Sequence, residues 1–345
     1  IPIGIAMLLV GFTGFALISG FDPAIFVLGT APFDAVSNYT LSVLPLFVLM
    51  GNLANSANLS RNLYDAAYAI VGHYKGGLAM STVGACAGFG MICGSSIATA
   101  ATMSQMAGPE MKRHGYSDAL ISGSIASGGT LGIIIPPSVI LVIYAYLTEQ
   151  SVQELFFAAL IPGLIAVVLY MVAIRVYLVI YPSHGGHGNK MPLKERIEAI
   201  TKVFPIFLIF TIIMGGLYLG FFTATESAAV GVVLVLLFIL ARGQLTLNLL
   251  KEALWTTIKT VGSLYLIVIG ASIFNYLITV TQLPFAVVDF INYLELTPLG
   301  IILVICVIYL VLGTVMDSLA MLFLTIPVFY PVIVDAGIDP VWFGI

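Results

Sequence analysis

Three short segments place glycine, proline and hydroxyl residues inside otherwise apolar stretches, at positions 94–102, 128–138 and 313–318. Glycine lets a helix unwind, and proline has no N–H to donate, so these segments leave backbone carbonyl oxygens without helical partners. Serine and threonine add hydroxyl oxygens. Clusters of oxygen ligands suit a hard cation such as sodium, while half-helix N-termini attract a carboxylate. These segments are therefore the first candidates for a binding site.

The composition of the whole chain indicates where these segments lie. Hydrophobic residues make up 60% of the 345 residues and charged residues 8%, whereas soluble domains carry roughly a quarter charged residues. Apolar runs recur, as at 155–180 and 203–222, and about 20 residues of helix cross a bilayer core. The chain is thus predicted to be an all-α polytopic membrane protein. Its net charge of −4 and lack of a basic block argue against a nucleic-acid partner.

Asp317 is the sharpest single candidate, because a carboxylate near the middle of a bilayer costs about 2.5–3.5 kcal/mol on insertion scales. Its position in the third segment favours a cation ligand or a proton carrier over a structural partner. Glu226, close to a predicted outer interface, is left open between the two roles. A lone hydroxyl in a membrane helix more often bonds to its own backbone or to a neighbouring helix. Hydroxyls therefore count as candidates only where glycine or proline breaks the helix.

Positive charges predict the topology, since Lys and Arg gather on the cytoplasmic side. The polar stretch 183–202 carries four of them and is predicted to be a cytoplasmic connector. Before the connector, the apolar run 155–180 crosses the membrane, and a broken helix at about 117–148 crosses it back. The hairpin at about 76–112 that precedes them is therefore predicted to enter from the cytoplasm. Beyond Lys259 the chain has no Lys, Arg or His. A second hairpin at about 298–335, with acidic flanks, is therefore predicted to enter from outside.

The two predicted hairpins also match in sequence at a fixed shift of 222 residues. Pro109 matches Pro331, and Gly115 matches Gly337. With basic flanks in one copy and acidic flanks in the other, this favours inverted repeats with broken helices, as in alternating-access transporters. The division predicted is a first repeat at 1–182, the connector at 183–202, and a second, incomplete repeat at 203–345.

The broken segments resemble the DctM-like large permease of TRAP transporters. The resemblance rests on residues 94–103, 129–138, 223–226 and 313–318, and it extends over the whole chain. Family members work as elevators in the inner membrane of bacteria or archaea, so the resemblance implies an elevator-type transporter. They use a sodium gradient to import a small carboxylate. Their partners are a small four-helix membrane subunit (DctQ-like) and a periplasmic substrate-binding protein (DctP-like).

The resemblance also implies roles for particular residues. One sodium ion would be held by Ser95, Ser96 and the carbonyl groups of Gly132 to Pro136. A second would be held by Gly313, Thr314 and Asp317. The expected substrate neighbours are Ser96, Thr99, Thr130 and Ser318. The second Pro-Pro segment that the family carries would fall beyond Ile345.

Two other functions stay open at this point. A single-component sodium–dicarboxylate symporter would have the same inverted repeats and would need no binding protein. A membrane-embedded enzyme is less favoured, because the sequence has neither a His-Glu-x-x-His nor a Gly-x-Ser-x-Gly motif. The interpretation carried forward is sodium-coupled uptake of an organic acid across the inner membrane by the large subunit of a binding-protein-dependent transporter.

Overall fold

The computed structural model describes residues 1–57, 59–188 and 190–345. Within these residues the chain forms α-helices and no β-strand, which confirms the predicted all-α class. The helices are α1 (Ile3–Ser19), α2 (Phe21–Ser37), α3 (Val43–Ser56), α4 (Leu59–Val71), α5 (Gly77–Cys93), α6 (Ser96–Arg113), α7 (Asp118–Ile134), α8 (Val139–Thr148), α9 (Val152–Ile180), α10 (Leu193–Tyr218), α11 (Ala224–Ala241), α12 (Leu247–Val280), α13 (Leu283–Tyr293), α14 (Pro298–Leu312), α15 (Ser318–Asp335) and α16 (Pro340–Gly344).

Helix length and composition fit a polytopic membrane protein. Five helices among the described residues are long and apolar enough to cross a bilayer, or up to seven spans if each bent helix pair counts as one. The five are α9, α10, α11, α12 and α15, and the bent pairs are α3 with α4 and α7 with α8. The α7–α8 pair covers the predicted broken helix.

Residue contacts divide the chain into two compact units. The central unit comprises Val43–Leu141 and Phe156–Thr257, and the terminal unit comprises Ile1–Ser42, Val142–Leu155 and Ile258–Ile345. The first hairpin, α5–α6, lies in the central unit, and the second hairpin, α14–α15, lies in the terminal unit. Each unit draws on both halves of the sequence, so contact alone does not separate the two predicted repeats.

Helix α5 is the core of the central unit. Nearly all of its side chains are buried, and it packs against α4, α6 and α7. Close packing is possible because many of its residues are Gly, Ala or Ser, which let membrane helices approach closely. At Gly90, an added Cβ would lie 2.8 Å from the Cα of Gly132 on α7. The backbones of α5 and α7 therefore meet directly.

The 222-residue shift holds for the ends of the helices. Helices α6 and α15 each have 18 residues, and their first residues lie 222 positions apart. Each follows a capping side chain, Ser95 in one case and Asp317 in the other, which accepts a hydrogen bond from the first turn. Each is followed by a glycine in the left-handed region, Gly115 at φ 75° and Gly337 at φ 70°. Two helix–turn units of equal design thus stand at the predicted spacing.

Glu226 has a local structural role at the start of α11. Its carboxylate accepts a hydrogen bond from the Thr223 backbone N–H at 2.8 Å, and its own N–H donates to the Thr223 hydroxyl at 3.3 Å. This reciprocal pair is a capping box that satisfies two N–H groups at the helix terminus. The geometry favours the structural interpretation that the sequence left open.

The stretch predicted as a connector, 183–202, is partly helical. Its second half belongs to α10, which begins at Leu193 after Pro192, and a Glu198–Lys202 ion pair of 3.0 Å lies along the helix. Its first half runs across the two turns at the base of the first hairpin. The Gly186 carbonyl accepts hydrogen bonds from the Gly76 N–H and the Tyr116 hydroxyl.

Two further backbone bonds hold this part of the connector. Ser117 N–H donates to the His184 carbonyl at 3.0 Å, and Gly188 N–H donates to the Gly72 carbonyl at 3.1 Å. A side chain at Gly186 would collide with the carbonyl oxygen of His114. The connector therefore fastens the α4–α5 turn to the α6–α7 turn, so that the two turns at the hairpin base are tied together.

The predicted inversion can be tested at the two equivalent glycines. Gly115 and Gly337 share a left-handed backbone, and an added Cβ has open space at both. Gly115→Cys and Gly337→Cys therefore carry similar strain. In a chain with Cys86, Cys93 and Cys306 replaced by alanine, an impermeant thiol reagent outside intact spheroplasts should label Gly337→Cys and spare Gly115→Cys. Equal labelling of the two before permeabilisation would contradict inverted topology.

Candidate functional site

The first break in the central unit separates α5 from α6. Gly94 ends α5 in the left-handed region, with φ 62°, where a residue with a Cβ would be strained. Ser95 then caps α6, and its hydroxyl accepts a hydrogen bond from Ala98 N–H at 3.4 Å. The chain thus reverses within two residues, and the N-terminus of α6 is aimed into the break.

The second break separates α7 from α8 and frees backbone carbonyls. In a continuous helix, the carbonyls of Gly132 and Ile133 would accept from the residues four positions on, which are Pro136 and Pro137. Neither proline has an N–H. The Gly132 and Ile133 oxygens are therefore left without their helical donors. Of the carbonyl ligands predicted from Gly132 to Pro136, those of Gly132 and Ile133 are therefore the ones that the prolines make available.

The two breaks touch each other. Val139 N–H, just past the second break, donates to the Gly94 carbonyl in the first at 3.2 Å. An added Cβ on Gly94 would lie 2.7 Å from the Pro137 oxygen. On Gly132 it would lie 2.7 Å from the Thr99 hydroxyl and 2.9 Å from the Ser95 oxygen. The glycines are what allow the crossing.

The structure therefore brings together most of the first predicted group. Ser95 packs against Gly132, and the Ser96 carbonyl lies beside α7 at Gly129; Thr99, predicted as a substrate neighbour, lies in the same contact. Thr99 is fully buried, and its hydroxyl donates to the Ser95 carbonyl at 2.7 Å. In this arrangement Thr99 braces the turn of the hairpin, and the Gly132 carbonyl and the Ser95 and Ser96 oxygens remain as candidate ligands.

Thr130 has a partner that the sequence did not indicate. Its hydroxyl donates to the Ser127 carbonyl at 2.7 Å and lies 3.1 Å from the hydroxyl of Tyr170 on α9. Tyr170 is thus in contact with a residue that was predicted to lie near the substrate. It lies in a long apolar run and is far from Thr130 in sequence, so no local pattern marks it.

The second predicted group lies at the tip of the second hairpin in the terminal unit. Thr314 donates its hydroxyl to the Val311 carbonyl at 2.7 Å, and one Asp317 carboxylate oxygen accepts from Leu319 N–H at 3.2 Å. Within the described chain, no Lys, Arg or His nitrogen lies within 4 Å of the Asp317 carboxylate. Asp317 is thus an exposed helix cap whose charge has no ion-pair partner there. Ser318 follows it as the first residue of α15, and Gly313 ends α14 four residues before it.

Comparison with known proteins decides the family. The family model described as "Tripartite ATP-independent periplasmic transporter, DctM component" matches residues 1–345. The chain belongs to this DctM family. It is 35% identical over 339 residues to the "C4-dicarboxylate TRAP transporter large permease protein DctM" of Pseudomonas aeruginosa, covering 97% of this chain and 78% of the relative.

A second relative carries a different substrate name. The chain is 34% identical over 311 residues to the "Sialic acid TRAP transporter large permease protein SiaM" of Vibrio cholerae, covering 90% of this chain and 72% of that one. These names confirm the prediction of a TRAP transporter permease rather than an enzyme. The crystal structure of the Alcanivorax borkumensis YdaH transporter shares the fold, with a TM-score of 0.66 over 99% of this chain and 84% of that one, at 11% identity.

The crossing in this DctM-family chain can be tested with two glycines of α7. Gly132→Ala places a methyl group against the Ser95 backbone and should force the two breaks apart, at a cost of about 1–3 kcal/mol. Gly123→Ala is the matched control, because an added Cβ there meets nothing within 4 Å. We expect Gly132→Ala to lower substrate uptake at least tenfold per folded protein, and Gly123→Ala to match the parent. Parental uptake by Gly132→Ala would show that the crossing is not needed.

Proposed function

We propose that this permease couples uptake of a small carboxylate to sodium entry across the bacterial or archaeal inner membrane. Support comes from the two breaks: the Gly132 carbonyl oxygen has lost its helical donor to Pro136, and α7 packs at Gly129 and Gly132 against the backbone of Ser95 and Ser96. Such hard, uncharged oxygens suit a sodium ion. The relative named for C4-dicarboxylate and the relative named for sialic acid both carry acids, which is the basis for proposing a carboxylate.

The histidines support sodium over protons as the driving ion. The chain has four, His73, His114, His184 and His187, and none lies in a broken segment. His184 and His187 belong to the connector, and His73 and His114 belong to the two turns at the base of the first hairpin. A proton relay at the tips would therefore depend on Asp317 alone, without a paired base.

The assembly is part of the same proposal. The family is described as one component of a tripartite transporter, which favours a multi-subunit system over the single-component symporter that the sequence left open. We propose the two remaining components to be a small four-helix membrane subunit (DctQ-like) and a periplasmic substrate-binding protein (DctP-like). The substrate itself would be delivered by the binding protein.

The driving ion is tested by reconstitution. Proteoliposomes containing the permease, its small subunit and the cognate binding protein should accumulate the acid when an inward sodium gradient is imposed. An inward proton gradient without sodium should give no accumulation, since the tips lack a histidine–carboxylate relay. Potassium at the same concentration serves as the control cation. Accumulation that follows the pH gradient in the absence of sodium would contradict the proposal.

A substitution of Asp317 distinguishes its possible role as a sodium ligand from its role as a helix cap. Asn is as good a helix cap as Asp, so Asp317→Asn should keep α15 intact and lose only the charge. We expect the half-saturating sodium concentration for uptake to rise about tenfold, equivalent to roughly 1.4 kcal/mol. The measurement is uptake against sodium concentration, normalised to folded protein.

Asp335→Asn is the matched control for this experiment. Asp335 ends the same helix and accepts a hydrogen bond from Asn292 at 3.2 Å, far from the tip. Its half-saturating sodium concentration should equal that of the parent. If Asp317→Asn also behaves as the parent, Asp317 is only a cap and the ligand role is wrong.

A further inference from the structure

The outward face of α9 carries one cation among apolar side chains. Val172, Val176 and Val179 are 50%, 52% and 79% exposed, and at helical spacing they share a face with Arg175. In a membrane protein, such a face contacts acyl chains. Arg175 lies five residues before the end of α9 at Ile180, about 7.5 Å along the axis. Its long side chain can therefore reach the headgroup level.

Arg175 is held in place by the α4–α5 turn. Its guanidinium donates to the Lys75 carbonyl at 3.2 Å and lies over the ring of Tyr74, 5.4 Å from the centroid. This uses one of its five N–H donors. The aromatic face and the backbone carbonyl orient the guanidinium group.

The charge at this position is not balanced within the described chain. The ion pairs of the described residues involve Lys112, Arg113, His114 and Lys202. Neither Arg175 nor Lys75 has a carboxylate within 4 Å. Arg175 has no acid nearby and contacts the backbone of a second basic residue, Lys75, and such a pair of residues matches a phosphate that carries net negative charge. They offer nothing to the amine of a zwitterionic headgroup.

Aromatic residues mark the same level. Tyr74 and Tyr181 are 47% and 49% exposed, and tyrosine is enriched where a membrane protein meets the bilayer–water interface. Arginine suits phosphate because its planar fork donates two parallel hydrogen bonds. The valine face of α9, the two tyrosines and the basic residues without ion-pair partners together form an environment suited to one phospholipid.

We propose that Arg175, Lys75 and Tyr74 form a site for the phosphate of an anionic phospholipid, whose acyl chains lie along the valine face of α9. The occupant is a lipid and not a free anion, because the site opens onto the apolar face of a membrane helix. The site also links the bilayer to the α4–α5 turn at the base of the first hairpin. It is independent of the transported substrate and of sodium.

The test is lipid retention by the purified full-length permease. Native mass spectrometry of detergent-solubilised protein titrated with phosphatidylglycerol should give a tightly bound lipid, and phosphatidylcholine should bind more weakly. Arg175→Gln should weaken phosphatidylglycerol binding about fivefold, the effect expected from roughly 1 kcal/mol per basic residue. Arg113→Gln is the matched control. It removes the same charge, but Arg113 is already paired with Glu110 at 3.1 Å, so lipid binding should stay at the parental level.

Several outcomes would overturn the site. These are parental retention by Arg175→Gln, equal losses in Arg175→Gln and Arg113→Gln, or displacement of the lipid by inorganic phosphate, which would indicate a free-anion site. Displacement by the small subunit would make the face a protein interface instead. If Arg175→Gln does not fold, Lys75→Gln decides, with a smaller loss of phosphatidylglycerol expected and parental retention contradicting the proposal.

Discussion

The need to satisfy backbone hydrogen bonds away from water is the constraint on which this structure depends. Two helices are interrupted, and interrupted backbone at membrane depth is tolerated only where other protein groups or a polar cavity receive it. The chain meets this by crossing the breaks, with Val139 N–H donating to the Gly94 carbonyl. The two breaks can approach this closely because Gly94 and Gly132 have no side chains. The rest of the site follows from this contact.

A division of labour among oxygen atoms results. The hydroxyls of Thr99 and Thr314 are used by their own hairpins, since each donates to a nearby backbone carbonyl at 2.7 Å. Their role is to hold the tips in shape. The prolines at 136 and 137 release the Gly132 and Ile133 carbonyls instead. A cation at the first tip would therefore be bound chiefly by backbone, and its affinity would depend on geometry more than on any one side chain.

Sequence patterns predicted those parts of the fold in which local residues mark the ends of helices. Glycine, proline and capping residues set the bounds of both hairpins and of the α7–α8 break, and the 222-residue shift predicted equivalent ends for α6 and α15. Contacts between distant helices carry no such signal. The Gly90–Gly132 approach and the Tyr170–Thr130 pair join apolar runs whose relative rotation only packing determines. The start of α10 was missed because 193–202 is polar, yet Glu198–Lys202 pairing supports a helix there.

The proposed sodium site lies at the crossing of the two breaks, in the permease itself. It is tested most directly by thermal unfolding of the purified chain in sodium chloride or potassium chloride at equal ionic strength. Sodium should raise the unfolding temperature saturably, by about 2 °C at ten times its dissociation constant, because binding stabilises only the folded state. Potassium should have no such effect. Identical unfolding temperatures in the two salts at every concentration would contradict the account.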